Sequence, residues 1–157
     1  LGNRSLFASA ASEVINEKIN EALNRSEIMP FAPVVLEEDA KDYFDVTTQN
    51  ADPMQFMTIT CQVTQKCKSE APAVVHVDDT ARPQLVCSQK NPEIADLLRE
   101  YKKATGVPIL INTSFNMHNE PIVCSPHDAI KSYLESGIDC LAIGPYYVES
   151  NCSNDIE

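Results

Sequence analysis

No cluster of lysine and arginine occurs anywhere along the 157 residues, and 12 basic side chains are outnumbered by 23 acidic ones, for a formal net charge of −11. Nucleic-acid binding leaves a basic footprint, so nucleic acid is not an expected partner. No apolar run approaches the roughly 18 residues of a membrane span. The stretch LGNRSLFASAAS also lacks a charged region followed by a long apolar one, the mark of an export signal. Neither a membrane nor export is expected, and the cytoplasm is the expected location. CxxC pairs and dense disulfide spacing are missing too: Cys61, Cys67, Cys87, Cys124, Cys140 and Cys152 read as reduced thiols. Cys124 and Cys140 sit in apolar runs, where a thiol behaves as a small hydrophobe. GxSxG is absent and no histidine has the local context of a base, which argues against Ser114 as a hydrolase nucleophile. No internal repeat is visible.

What is present suits a single globular domain. Hydrophobic residues make up 43% and charged ones 22%, and a chain of this length removes about two-thirds of its unfolded surface from water. The spacing of Val14, Ile15, Ile19, Ala22 and Leu23 predicts an amphipathic helix capped by Ser12. A short buried strand is expected over 34–36 and a helix over 37–44 with an acidic first turn. Residues 45–55 read as a surface connection, 56–63 as a strand, 65–72 as a polar break, and 73–77 as another strand. Asn91-Pro92 opens a helix whose inner face carries Ile94, Leu97, Leu98 and Tyr101, ending at Gly106. A buried strand follows over 107–111. Ser125-Pro126 caps a helix with Ala129, Ile130, Tyr133 and Leu134 inward, and 140–143 reads as a last buried strand. From Glu149 onward the chain looks like a polar tail, giving a domain over 1–148 and a tail over 149–157. The alternation predicts an α/β fold with an open, twisted, mixed sheet.

Two loops carry the chemistry. HVDDTARPQ packs His76, Asp78, Asp79, Thr80, Arg82 and Gln84 into nine residues, and NTSFN presents Asn112, Thr113, Ser114 and Asn116. Arginine offers a planar fork of donors that matches phosphate or carboxylate, while amides and hydroxyls suit oxyanions and ureido-type carbonyls, so an anionic ligand is the expectation. The plainer reading is that Asp78, Thr80 and Asn112 only cap turns and that His76 is a satisfied core histidine. A metal site built on His76 and Asp78 is a third possibility.

Read as whole strings in order, LGNRS, MPFAP, HVDDTARPQ, TGVPILINTSFN, NEPIVCSPHDAI and SGIDCLAIG resemble the carboxy-terminal domain of the carbamoyltransferase family that includes nodulation-factor and antibiotic O-carbamoyltransferases. The family's usual strings read like HVDGTARPQ and GEPIV. Here Asp79 and Asn119 stand where glycine is common, and both residue types tolerate a left-handed backbone. Many members carry a lysine and two arginines before PFAP. This chain has only Arg25 as a clear basic residue there, and no catalytic lysine is assigned.

The resemblance implies one part of a longer two-domain enzyme, with a fold like that of threonylcarbamoyl-adenylate synthase. It implies binding of carbamoyl phosphate, ATP and magnesium to make carbamoyl-adenylate, and an amino-terminal partner domain that passes the carbamoyl group to an acceptor hydroxyl. On that reading Arg82 and Arg25 meet phosphate oxygens, Asn112, Thr113 and Ser114 meet the carbamoyl and phosphate groups, and Thr80 and Arg4 support them. His76 and Asp78 hold the loop or face the partner domain. No metal is held by the protein's own side chains. Two other readings stand beside it: a non-catalytic ligand-binding or docking module, and a metal-dependent hydrolase using His76 and Asp78.

Overall fold

The computed structural model describes residues 2–24 and 31–150. Its centre is a four-stranded mixed sheet in the order β1 (Ser5–Ser9), β6 (Ile109–Ser114), β2 (Ala32–Leu36), β5 (Gln84–Val86). β6 runs antiparallel to both neighbours and β2 runs parallel to β5. Alternate residues of a strand face opposite sides, and the two faces meet different partners. Leu6, Val35, Leu85, Ile109 and Ile111 enter the main core with Ile19 and Leu23 of α1 (Val14–Ala22) and its C-cap, Tyr43, Phe44 and Val74. Val34, Leu36, Val86 and Leu110 face the other way, against Ile94, Ala95 and Leu98 of α5 (Pro92–Thr105). The open mixed sheet expected from the alternating pattern is the one observed.

The elements differ from expectation where side-chain caps and turns override apolar runs. The helix after β2 is only one turn, α2 (Glu37–Ala40), because the chain leaves through turns that bring Phe44 into a bridge with Val63. The expected strand over 56–63 reduces to β3 (Cys61–Gln62). A short helix, α3 (Ala51–Met54), ends in a turn where Thr58 bonds Pro53 O through both its amide and its hydroxyl, and Met57 takes φ 55°. The polar break over 65–72 is α4 (Gln65–Glu70), nucleated by Thr64, whose Oγ1 accepts from Cys67 N at 3.2 Å. The expected strand over 73–77 is a 3-10 turn, Pro72–Val74, since Pro72 has no N–H to give a sheet. β4 (Thr80–Ala81) pairs with β3. Ser12 does not cap α1; Glu13 occupies that position without a side-chain bond, and Asn91 likewise makes no cap bond to α5. α5 ends as expected at Gly106, whose φ of 81° permits its N–H to reach Lys102 O at 2.8 Å.

α6 (Pro126–Ser136) has the full capping box: Ser125 Oγ accepts from Asp128 N and the Asp128 carboxylate accepts from Ser125 N. These bonds, led by that with Ser125, hold the Asp128 carboxyl below the usual carboxylate range. A depressed acid stabilises the fold above its unfolded pKa, near 4, and that contribution is lost as pH falls through the lower folded value. The inward face of α6 is narrower than expected. Ala129 and Tyr133 are buried with Ser132 and Ser136, but Ile130 is 48% and Leu134 75% exposed. Among the described residues one flank of α6 is covered, by Phe115, Val123 and Leu141, the last from β7 (Cys140–Ile143). β7 is not a buried strand. It forms a separate hairpin with β8 (Tyr146–Glu149), every residue of which is exposed, so Glu149 belongs to a strand and not to a tail; residues 151–157 lie outside those described.

The thiols are also redistributed. Cys124 and Cys140 are exposed, whereas Cys61 and Cys67 are buried, and burial pushes their thiols up to about 11 and about 12. With a thiol-specific alkylating agent near pH 8, Cys124 and Cys140 are expected to label in the native state, and Cys61 and Cys67 only after denaturation, as mass mapping would read.

Candidate anion-binding site

The topology gathers the sequence-selected residues at one end of the sheet. Ser5 of β1 pairs with Ser114 of β6, Ala32 of β2 pairs with Asn112, and Gln84 of β5 pairs with Val34. Arg4 thus precedes β1, and Arg82 precedes β5, at the same end where β6 delivers Asn112, Thr113 and Ser114. With strands about 4.8 Å apart, three strand steps place the chain entries of Arg4 and Arg82 roughly 14 Å apart. Arg25 lies outside the described residues. This end is the carboxyl end of β6 but the amino end of the other three strands. The Asn112-Thr113-Ser114 string is part of β6 and does not follow it. HVDDTARPQ leads into β5 and does not follow a strand.

Charge at this end is less balanced than the net −11 suggests. Arg82 is exposed and bonds Met57 O at 3.2 Å; Arg4 is exposed and bonds Val123 O at 3.2 Å. Among the described residues neither arginine pairs with a carboxylate, while Arg99, on α5, is bonded to Asp96 at 3.0 Å. Arginine fork donors directed at neutral carbonyls keep their charge available for an anion.

The HVDDTARPQ loop is held by its own side chains. Asp78 Oδ1 accepts from Thr80 N at 3.1 Å and from Thr80 Oγ1 at 2.7 Å, which draws its carboxyl below the ordinary value, first through the hydroxyl bond. A hydroxyl has one proton, so Thr80 Oγ1 accepts from His76 Nδ1 at 3.0 Å and the ring carries its proton there. His76 N also bonds Thr80 O at 2.7 Å. His76, Asp78 and Thr80 therefore form one turn, with the Thr80 donor proton spent inside it. No group of three His, Cys, Asp or Glu side chains among the described residues is arranged to hold a metal. Asp79 sits at φ 63° and Asn119 at φ 62°, the left-handed turns anticipated at both positions. Asp79 also pairs with Lys68 at 2.8 Å. Asn119→Gly, which disturbs no ion pair, is expected to stabilise the chain by about 0.5 kcal/mol, the relief of left-handed strain less the added unfolded-state entropy; urea unfolding measures it.

In the second loop, Ser114 Oγ donates to Asn116 Oδ1 at 2.5 Å, and Asn116 Nδ2 ties the loop to Met117 O and Glu120 O. Thr113 faces away from Asn112 and Ser114, paired with Leu6. Asn112 is 2% exposed and donates from Nδ2 to Oε1 of Gln84, itself 4% exposed, at 2.5 Å. Gln84 stood in the motif but had no assigned role; its burial, invisible in the sequence, is what singles it out.

The chain is thus a mixed α/β domain in which two arginines, without carboxylate partners among the described residues, stand at an amide-rich strand end. The family model for the carbamoyltransferase C-terminus matches residues 1–150, and the chain belongs to that family. It is 40% identical over 149 residues to the nodulation protein NolO of Bradyrhizobium diazoefficiens, covering 94% of this chain and 27% of that protein. It is 37% identical over 155 residues to NolNO of Sinorhizobium fredii, covering 98% of this chain and 23% of that protein. An uncharacterised protein of Methanocaldococcus jannaschii is 40% identical over 148 residues, 94% of this chain and 28% of that protein. The chain thus spans about a quarter of the length of these relatives. In fold it is similar to part of full-length HypF, in a crystal structure of the phosphate- and nucleotide-bound form, with a TM-score of 0.61 at 19% identity over 83% of this chain and 20% of that one.

Proposed function

We propose that this chain is the part of an O-carbamoyltransferase that binds carbamoyl phosphate and ATP and makes carbamoyl-adenylate. The observation that carries this reading is the pair of arginines without carboxylate partners among the described residues, at the strand end that also presents Asn112 and Ser114. Family membership supports the carbamoyl group, and the phosphate and nucleotide in the HypF crystals fit an anion site in this fold.

Carbamoyl phosphate first loses its phosphate to water, leaving carbamate. A carbamate oxygen then attacks the α-phosphorus of ATP, the bond from that phosphorus to the β-bridging oxygen breaks, and pyrophosphate leaves. Such chemistry asks the protein chiefly to position two anions and to stabilise charge on the transferred phosphoryl group. Arg82 and Arg25 are assigned to phosphate oxygens, Asn112, Thr113 and Ser114 to the carbamoyl and phosphate groups, and Arg4 to a supporting contact. Thr80, with its proton held by Asp78, acts by fixing the loop before Arg82. Magnesium is assigned to the ATP phosphates, its usual anchorage. A cytoplasmic location follows from the supply of ATP.

An amino-terminal domain of the same polypeptide would complete transfer to an acceptor hydroxyl, releasing AMP. Consistent with such a partner, the exposed Ile130 and Leu134 of α6 and Tyr146, Tyr147 and Val148 of β8 lie in one stretch of the chain. The same exposed apolar side chains favour a second reading, a docking module without turnover. Isothermal titration with carbamoyl phosphate, and separately with a non-hydrolysable ATP analogue plus magnesium, tests the site; pyrophosphate release from carbamoyl phosphate plus ATP tests turnover. Heat in both titrations is expected. Binding without pyrophosphate, even with the amino-terminal domain restored, would leave the docking module, and absence of binding would overturn the proposal.

A further inference from the structure

Gln84 and Asn112 are two of the few buried polar side chains among the described residues, and they are bonded to each other across the sheet. β2 lies between their strands. The register puts Asn112 opposite Ala32 and Gln84 opposite Val34, so all four share the face that α5 covers farther along the strands. The bond therefore passes diagonally over β2, where Ala32 supplies the smallest side chain available other than glycine. Ser5 and Ser114 stand on the same face at the same end. Burying two carboxamides costs desolvation that one hydrogen bond only offsets, and an apolar pair of similar volume would hold the sheet equally well. What an amide pair adds is direction.

The direction is set by stoichiometry. With Asn112 Nδ2 donating to Gln84 Oε1, the acceptor that Asn112 retains is Oδ1, and the donors that Gln84 retains are on Nε2. The pair thus offers an acceptor beside a donor, the complement of a primary amide edge, which has N–H donors beside a carbonyl oxygen. Resting on the carbamoyl-phosphate reading above, we infer that this pair reads the amide edge of the carbamoyl group. Asn112 Oδ1 accepts from the carbamoyl N–H and Gln84 Nε2 donates to the carbamoyl oxygen. Through Oε1, Gln84 also fixes which way round the Asn112 amide sits. The ligand class selected is a carbamoyl anhydride over an acyl one, since a methyl group in place of NH2 leaves a buried acceptor unpaired.

The probes are carbamoyl phosphate and acetyl phosphate, titrated against the chain and its Gln84→Met and Gln84→Glu variants, each checked for folding by thermal melting. The wild type is expected to favour carbamoyl phosphate about 10- to 100-fold, in keeping with the cost of an unsatisfied buried group. Gln84→Met removes the acceptor that holds Asn112 and is expected to bring the ratio to within about 3-fold of unity. Gln84→Glu keeps that acceptor. It loses the Nε2 donor, but the carbonyl oxygen which that donor meets is common to both phosphates, and the added charge weakens both alike, so the ratio is expected to stay near the wild-type value even if the methionine variant fails to fold. Equal binding of the two phosphates by wild type, an unchanged ratio in folded Gln84→Met, or a lost ratio in Gln84→Glu would overturn the inference while leaving the anion site standing. No binding of either phosphate by wild type would instead remove the proposed function, and the inference with it.

Discussion

Arg82→Ala is expected to weaken carbamoyl phosphate binding by about 10- to 100-fold, the loss of one or two charge-assisted hydrogen bonds worth roughly 1.5–3 kcal/mol in all. Its stability should stay within about 0.5 kcal/mol of the wild type, because the side chain is exposed and its recorded bond is one 3.2 Å contact to Met57 O. Arg99→Ala is the matched control. It removes the same formal charge, but from a side chain on α5 already bonded to Asp96 and to Ser88 Oγ, so binding should change less than 2-fold. Calorimetric titration of both variants separates a located anion site from a general effect of charge. Equal losses in the two would mean that only the overall field is being read, and a wild-type affinity in Arg82→Ala would move the site elsewhere.

Leu98→Ala is expected to produce the largest loss of stability, about 2–5 kcal/mol in urea or thermal unfolding. Leu98 is 0% exposed and joins α5 to Val34, Leu36, Val86 and Leu110, so its removal leaves a cavity between helix and sheet that neighbouring strands cannot close. The consequence reaches the site. Gln84 and Asn112 are bonded on the same side of β2, β5 and β6, farther along the strands, so loosening α5 relaxes the sheet that carries them. By contrast, Leu97 is one residue away on the same helix and 42% exposed, and Leu97→Ala should cost less than about 1 kcal/mol. The pair of variants measures how much of the fold rests on the inward stripe of α5.

The elements read correctly from the sequence share a physical reason: each is specified by neighbours within a turn or two. Pro92 and Gly106 bracket α5, the Ser125–Asp128 box starts α6, and the continuous apolar runs of β2 and β6 suit strands buried on both faces. The left-handed positions of Asp79 and Asn119 were legible for the same reason, since few residue types occupy such turns at low cost. Misreadings arose where a local apolar run was outvoted by a distant partner or a proline. The run after Pro72 became a 3-10 turn, and the polar stretch after Thr64 became a helix because Cys67 found a place in the core. Ile130 and Leu134 have helical spacing, which guarantees a shared face but not a surface to cover it.

The sequence alone therefore determined which side chains are on offer to the proposed ligand, because arginine forks, amides and hydroxyls are properties of side chains. Tertiary structure decided which of them act together. Arg4 and Ser114 are far apart in the chain and become neighbours only through the β1–β6 register, and Arg82 joins them only because β5 runs parallel to β2 at the far side of the same sheet. The role of Gln84 belongs wholly to that second level: an amide becomes a directional device only when burial denies it water and a strand pairing two neighbours away supplies its partner.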